Sequence, residues 1–151
     1  MDIGELFHPV GHYGTRSPQT ARRSVSRKGD GLFVGTDAYR YFYQHTELLG
    51  KRMVPIITEL TARTLDEFGP LMRHSGEEYL LVLEGRVEVH TQFYAPEYLD
   101  AGDAIYIDST MAHAYLNAGE GTARAICVCS AESSGLLEEL QNLARRDNGA
   151  E

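Results

Sequence analysis

His74-Ser-Gly-Glu-Glu-Tyr-Leu-Leu-Val-Leu-Glu-Gly85 sets a histidine and a carboxylate four residues apart, where a loop runs into an apolar strand. A second block, Gly102-Asp-Ala-Ile-Tyr-Ile-Asp-Ser-Thr-Met-Ala-His113, brings another histidine to the head of a later strand. Imidazole and carboxylate are good ligands for first-row metals when rigid elements make them converge. In an extended chain His74 and Glu78 face the same way, and Gly76 between them lets the loop bend before the strand starts. His113 follows 35 residues after Glu78, and a β-hairpin layout can bring it opposite. Two imidazoles and one carboxylate occupy one face of an ion and leave positions open. That is the facial set of non-haem Fe(II) oxygenases, and it also occurs in catalytic zinc sites.

Outward from this pair of blocks the pattern is that of a β protein. Tyr39-Arg-Tyr-Phe-Tyr-Gln-His45 is aromatic and partly alternating, so it predicts a strand. Arg52 to Arg63 is rich in β-branched residues and predicts a long strand, with Pro55 suggesting an edge or a bulge. Thr64 to Arg73 contains Gly69-Pro70 and reads as a loop. Strands are expected over Glu78–Leu83 and Arg86–Tyr94, joined at Glu84-Gly85 by a tight hairpin. Short strands follow at Glu97–Leu99, Ala104–Ile107 and His113–Asn117, and Thr122-Ala-Arg-Ala-Ile-Cys-Val-Cys-Ser130 closes the sheet. In Ser134–Arg146, Leu136, Leu140 and Leu143 share one helical face, with Glu138 and Glu139 early and Arg145 and Arg146 late. That order suits the helix dipole and predicts a C-terminal helix on the outside of the barrel. Many short strands with turns between them make an all-β barrel or jelly roll. No internal repeat is visible.

A chain of 151 residues is one domain's worth and buries roughly two thirds of its unfolded surface. Fifteen Gly and five Pro suit a fold with many turns. The net charge of −8 argues against a nucleic-acid-binding surface. Residues 1–30 nevertheless carry five basic groups (Arg16, Arg22, Arg23, Arg27, Lys28) against three acids. They lack hydrophobic periodicity and read as an irregular, solvated arm, with no room for a helix-turn-helix. Cys127 and Cys129 sit two apart on one strand face, a separation that disfavours a disulfide and predicts core packing in a reducing compartment. There is no long apolar run and no signal-peptide core, so the expected location is the cytoplasm.

The two blocks resemble the cupins, whose motifs are Gly-x5-His-x-His-x3-4-Glu-x6-Gly and Gly-x5-Pro-x-Gly-x2-His-x3-Asn. His74, Glu78 and Gly85 match the first motif's second histidine, glutamate and closing glycine. Gly102, His113 and Asn117 match the second, and the 16 residues between Gly85 and Gly102 suit the short bacterial spacer. Met72 stands where the first histidine would be, and Asp108 and Thr110 replace the second motif's Pro and Gly. In wording the blocks are similar to the C-terminal cupin domains of XRE-type helix-turn-helix regulators. They are also similar to the hydroxypropylphosphonate epoxidase cupin, an iron enzyme with a His-x3-Glu…His triad. The DNA-binding half of the regulators is not in this sequence.

The resemblance implies a cupin double-stranded β-helix: arm 1–35, barrel 36–132, and C-terminal helix and tail 133–151. It implies a divalent transition metal (Fe(II), Zn, Mn, Ni or Co) on His74, Glu78 and His113, and a homodimer. Arg73, Tyr106 and Tyr115 are the candidates for substrate contacts, with Tyr41 and Tyr43 as further tyrosines at the barrel mouth. Met72 reads as interior packing, Glu77 as an outer-face charge, and His45 and His90 as lying off the site. No nucleophile–base pair, phosphate loop or zinc-finger spacing is present. Two functions follow: a binding module holding a small polar or anionic metabolite at the metal, without membrane or nucleic-acid partners, or an enzyme. The enzyme would be an Fe(II) oxygenase or epoxidase, or a metal-dependent lyase or isomerase.

Overall fold

The computed structural model describes residues 21–130. In chain order these form strands β1 (Leu32–Gly35), β2 (Tyr39–Tyr43) and β3 (Met53–Leu60), then a one-turn helix α1 (Leu65–Phe68). They continue as β4 (Glu77–Glu84), β5 (Arg86–Thr91), β6 (Tyr94–Asp100), β7 (Ala104–Asp108), β8 (His113–Asn117) and β9 (Ala123–Ser130). The strands pair into a six-stranded sheet, β1-β2-β3-β9-β4-β7, and a three-stranded sheet, β6-β5-β8. Every pairing is antiparallel. This is the all-β, jelly-roll architecture that the strand pattern predicts.

Period-two alternation decides what enters the core. On β3, Val54, Ile56, Thr58 and Leu60 are buried, and on β9 Ala123, Ala125, Cys127 and Cys129 are. The register sets large against small: Leu60 faces Ala123, Thr58 faces Ala125, Ile56 faces Cys127 and Val54 faces Cys129. Val87 and Val89 of β5 and Tyr115 of β8 close the same core from the other sheet. Each fully buried aliphatic side chain contributes roughly 1.5–3 kcal/mol.

Several local expectations change. Glu84-Gly85 is not a hairpin, because β4 pairs with β7 and β9 while β5 pairs with β6 and β8. Gly85 is instead where the chain passes from one sheet to the other. It has φ +79°, and a Cβ there would run into the Thr122 carbonyl oxygen and lie 3.0 Å from Ala123 Cα. Hairpin turn chemistry and a sheet crossing both call for glycine, so sequence cannot separate them. Pro55 lies in an interior strand, not at an edge or in a bulge. Its carbonyl accepts from Gln44 N–H at 3.3 Å, so its missing N–H points to the side where regular pairing with β2 has already ended at Tyr43↔Ile56. β1 falls inside the segment expected to be an irregular arm. The expected loop 64–73 holds α1, capped by Thr64, whose side chain accepts from Glu67 N–H. The C-terminal helix expected over 134–146 lies outside the described residues. No helix among the described residues is long and apolar enough to cross a membrane.

Candidate metal centre

The segment before β4 is held against the segment before β8. Met72 and His113 exchange both backbone hydrogen bonds, His74 N–H donates to Ser109 O, and Ser109 N–H donates to Gly76 O. Gly76 has φ +89°, and a Cβ there would collide with the Ser130 hydroxyl. That hydroxyl accepts from Glu77 N–H at 2.9 Å, which pins the start of β4 to the end of β9. Alternation then sends His74, Glu78 and His113 inward, where they are only 7%, 5% and 1% exposed.

His74 Nε2 lies 3.2 Å from Glu78 Oε2, and His113 Nε2 lies 3.4 Å from the same oxygen. Donors that share an ion at about 2.0–2.1 Å stand about this far apart. The far side of each imidazole is turned to a backbone carbonyl. His74 Nδ1 is 3.2 Å from Ser75 O and His113 Nδ1 is 2.8 Å from Met111 O. A carbonyl only accepts, so each Nδ1 donates to the carbonyl behind it; without an ion a proton on His74 Nε2 donates to Glu78, and with one bound each Nε2 would turn its lone pair to the ion instead. His113 Nε2 is buried without a hydrogen-bond partner. Lone pairs converging on a carboxylate repel one another unless a proton or a cation lies among them. The donor set therefore fits a divalent ion.

Burial alone would push the Glu78 carboxyl up. The His113 and His74 side chains beside it outweigh that and hold it at about 2, below the ordinary 4.5. Tyr115 lies against the site, its ring 5.8 Å from that of His113. Its hydroxyl is buried and unpartnered. Burial, then the Glu78 charge, keep that hydroxyl protonated well above the usual range for tyrosine. The Tyr39 hydroxyl accepts from Tyr115 N–H at 3.0 Å, linking the two sheets.

Other candidates lie elsewhere. Arg73 sits between inward-facing Met72 and His74, so it is exposed and does not reach the interior. Tyr106 is 61% exposed. It pairs with Tyr79 one step from the Glu78↔Ile107 pair, so strand parity turns it outward, and it is not an interior substrate contact. Tyr43 is buried, Tyr41 is half-buried, and Glu77 is exposed. His45 Nδ1 approaches the Ser24 hydroxyl at 2.7 Å and His90 pairs with Glu88 at 3.0 Å, both outside the cluster. Met72 packs against the core.

One residue at the centre, Cys129, reads from sequence only as core packing. Ligand atoms of His74, Glu78 and Cys129 lie within 4.8 Å of one another, and His113 joins the group through Glu78. The signal for Cys129 was its parity on β9. Its position beside Glu78 depended on knowing that β9 pairs with β4.

The cupin domain family profile matches residues 66–129, which span both motif blocks. No curated protein matches the chain by sequence. Among solved structures it is similar to hydroxypropylphosphonic acid epoxidase from S. wedmorenis (TM-score 0.61, 21% identity, covering 71% of this chain and 59% of that one). It is also similar to the Fe(II) form of HppE (TM-score 0.60, 22% identity, covering 71% and 60%). The chain thus spans about three-fifths of the length of these neighbours, and at such identity the likeness is one of fold. The jelly-roll topology and the motif spacing agree with the family-profile match, so residues 66–129 form a cupin domain.

Proposed function

We propose that the chain binds a divalent transition metal through His74, Glu78 and His113 and holds a small polar or anionic metabolite at that metal. The reading is that of a binding module in the lineage of the regulator cupins. The observation that carries it is the convergence of two imidazole Nε2 atoms on one buried carboxylate, each ring oriented by a carbonyl behind it. The unpartnered Tyr115 hydroxyl supports an anionic or carbonyl-bearing metabolite, since a neutral phenol donates to such an oxygen. A bound ion would supply Lewis acidity or, as iron(II), dioxygen chemistry.

The test is elemental analysis of the purified chain beside His74→Ala, Glu78→Ala and His113→Ala. About one ion per native chain and loss in each variant is expected; full occupancy in all three rules the site out. A second reading, an Fe(II) oxygenase or epoxidase, is supported by the His-x3-Glu…His order together with the fold shared with Fe(II) HppE. Anaerobic iron(II) loading followed by dioxygen uptake with small phosphonates or hydroxy acids separates it from a binding module. The family resemblance also implies a homodimer. Exposed Tyr79, Leu83 and Tyr106 on the outer side of the six-stranded sheet offer an apolar surface for a second copy, which light scattering in solution checks.

A further inference from the structure

The site has a sulfur neighbour that the cupin motifs do not contain. Cys129 stands directly across from Glu78 in the β4–β9 register and directly across from Val54 in the β3–β9 register. Its backbone is therefore held by strands on both sides, and its side chain, 6% exposed, faces the interior. Its Sγ lies within 4.8 Å of ligand atoms of both His74 and Glu78. Around a tetrahedral ion with bonds of about 2.0–2.3 Å, sulfur and its nitrogen and oxygen neighbours stand roughly 3.5 Å apart. The buried, unpartnered His113 Nε2 marks independently that a ligand belongs in this space. Cys127 faces the same interior one step along, across from Leu80. The chain therefore lacks an imidazole at Met72 and carries a thiol at the same centre.

We propose that Cys129 is a fourth protein ligand of the ion, completing a two-nitrogen, one-oxygen, one-sulfur set that favours zinc and cobalt(II) over magnesium or calcium. The inference rests on the His74/Glu78/His113 reading given above. When the metal–sulfur bond forms, the S–H proton leaves to solvent and no electrons are transferred. The ion's two positive charges are then balanced by one carboxylate and one thiolate, which suits a water-poor interior. Held by four protein ligands, such an ion would have no open position, and a metabolite would have to add as a fifth ligand. This arrangement favours the binding reading over the oxygenase.

Cobalt(II) titration of the chelator-stripped, reduced full chain tests this by absorption. Visible d–d bands report that the ion is bound, and a near-ultraviolet sulfur-to-cobalt charge-transfer band reports a thiolate ligand. Both are expected in the native chain. Cys129→Ser should lose the near-ultraviolet band while cobalt still binds, and Cys127→Ser should keep both. Visible bands without the near-ultraviolet band in the native chain overturn the Cys129 assignment and leave the His/Glu/His reading standing. Loss of the band in Cys127→Ser but not in Cys129→Ser also overturns it, and absence of cobalt binding overturns both readings. If Cys129→Ser does not fold, X-ray absorption of the native zinc form decides. One sulfur scatterer at about 2.3 Å is expected, and a shell of nitrogen and oxygen alone contradicts it.

Discussion

Met72 N–H donates to the His113 carbonyl and His113 N–H donates to the Met72 carbonyl, both at 2.9 Å. A doubly bonded antiparallel pair carries its two side chains on the same face. The residue standing where the cupin motif has its first histidine is thus held beside the histidine of the second motif. Met72→His should place an extra imidazole at the centre and tighten zinc binding about tenfold or more (~1.4 kcal/mol per tenfold). Competition against a chromogenic chelator measures this. Unchanged or weaker affinity would mean that position 72 does not reach the ion.

Glu78 gives the metal-free protein a pH signature. Its carboxyl is held at about 2 against the ordinary 4.5, so the folded state binds a proton there less readily than the unfolded chain does. The resulting stabilisation is complete above pH 4.5 and is lost as pH falls towards 2. Urea unfolding in the presence of chelator should show native and Glu78→Gln proteins well separated near neutrality. Their difference should shrink across that acid window. A gap that stays constant down to pH 2.5 would contradict the coupling.

Tyr115→Phe removes a buried hydroxyl that has no partner. An unsatisfied buried polar group costs about 1–3 kcal/mol, so the variant without metabolite should be as stable as the native chain or more so. Metabolite binding at the metal should weaken at the same time. Thermal denaturation and ligand titration measure the two effects separately. A destabilised variant would show that the hydroxyl is hydrogen-bonded within the protein.

Gly85→Ala combines a left-handed backbone with a Cβ collision at Thr122. Strained positions of this kind cost of order 1–3 kcal/mol, and for a domain of about 150 residues 1 kcal/mol is about 2–4 °C in Tm. A fall of about 4–10 °C is expected by calorimetry, and no fall would show that the crossing tolerates a side chain.

Much of the architecture was legible because strand alternation is a local property. Glu77–Glu84, Ala123–Ser130 and the short strand from His113 each declare themselves through inward apolar residues or motif position. What was not legible depends on which strands become neighbours. Tyr106 reads as a pocket residue until the Glu78↔Ile107 pairing fixes its parity. Gly85 reads as a hairpin until β4 and β5 separate into different sheets. Cys129 looks like simple packing until β9 is set beside β4. α1 left a trace in Thr64-Leu-Asp-Glu67, a capping box, but four residues are too few for helical periodicity to register. β1 was hidden because its Gly31 and Gly35 flanks look like the irregular segment before it.

The passage of the chain between sheets at Gly85 has a mechanical side. Glu78 and Cys129 belong to the six-stranded sheet, whereas His113 begins a strand of the three-stranded one. An ion gripping all of them is a rivet through two leaves that the covalent chain joins only at their margins. With it withdrawn, only packing and hydrogen bonds such as Tyr115 N–H to the Tyr39 hydroxyl hold the leaves together there, and amide hydrogen exchange in β8 should quicken before that in β3.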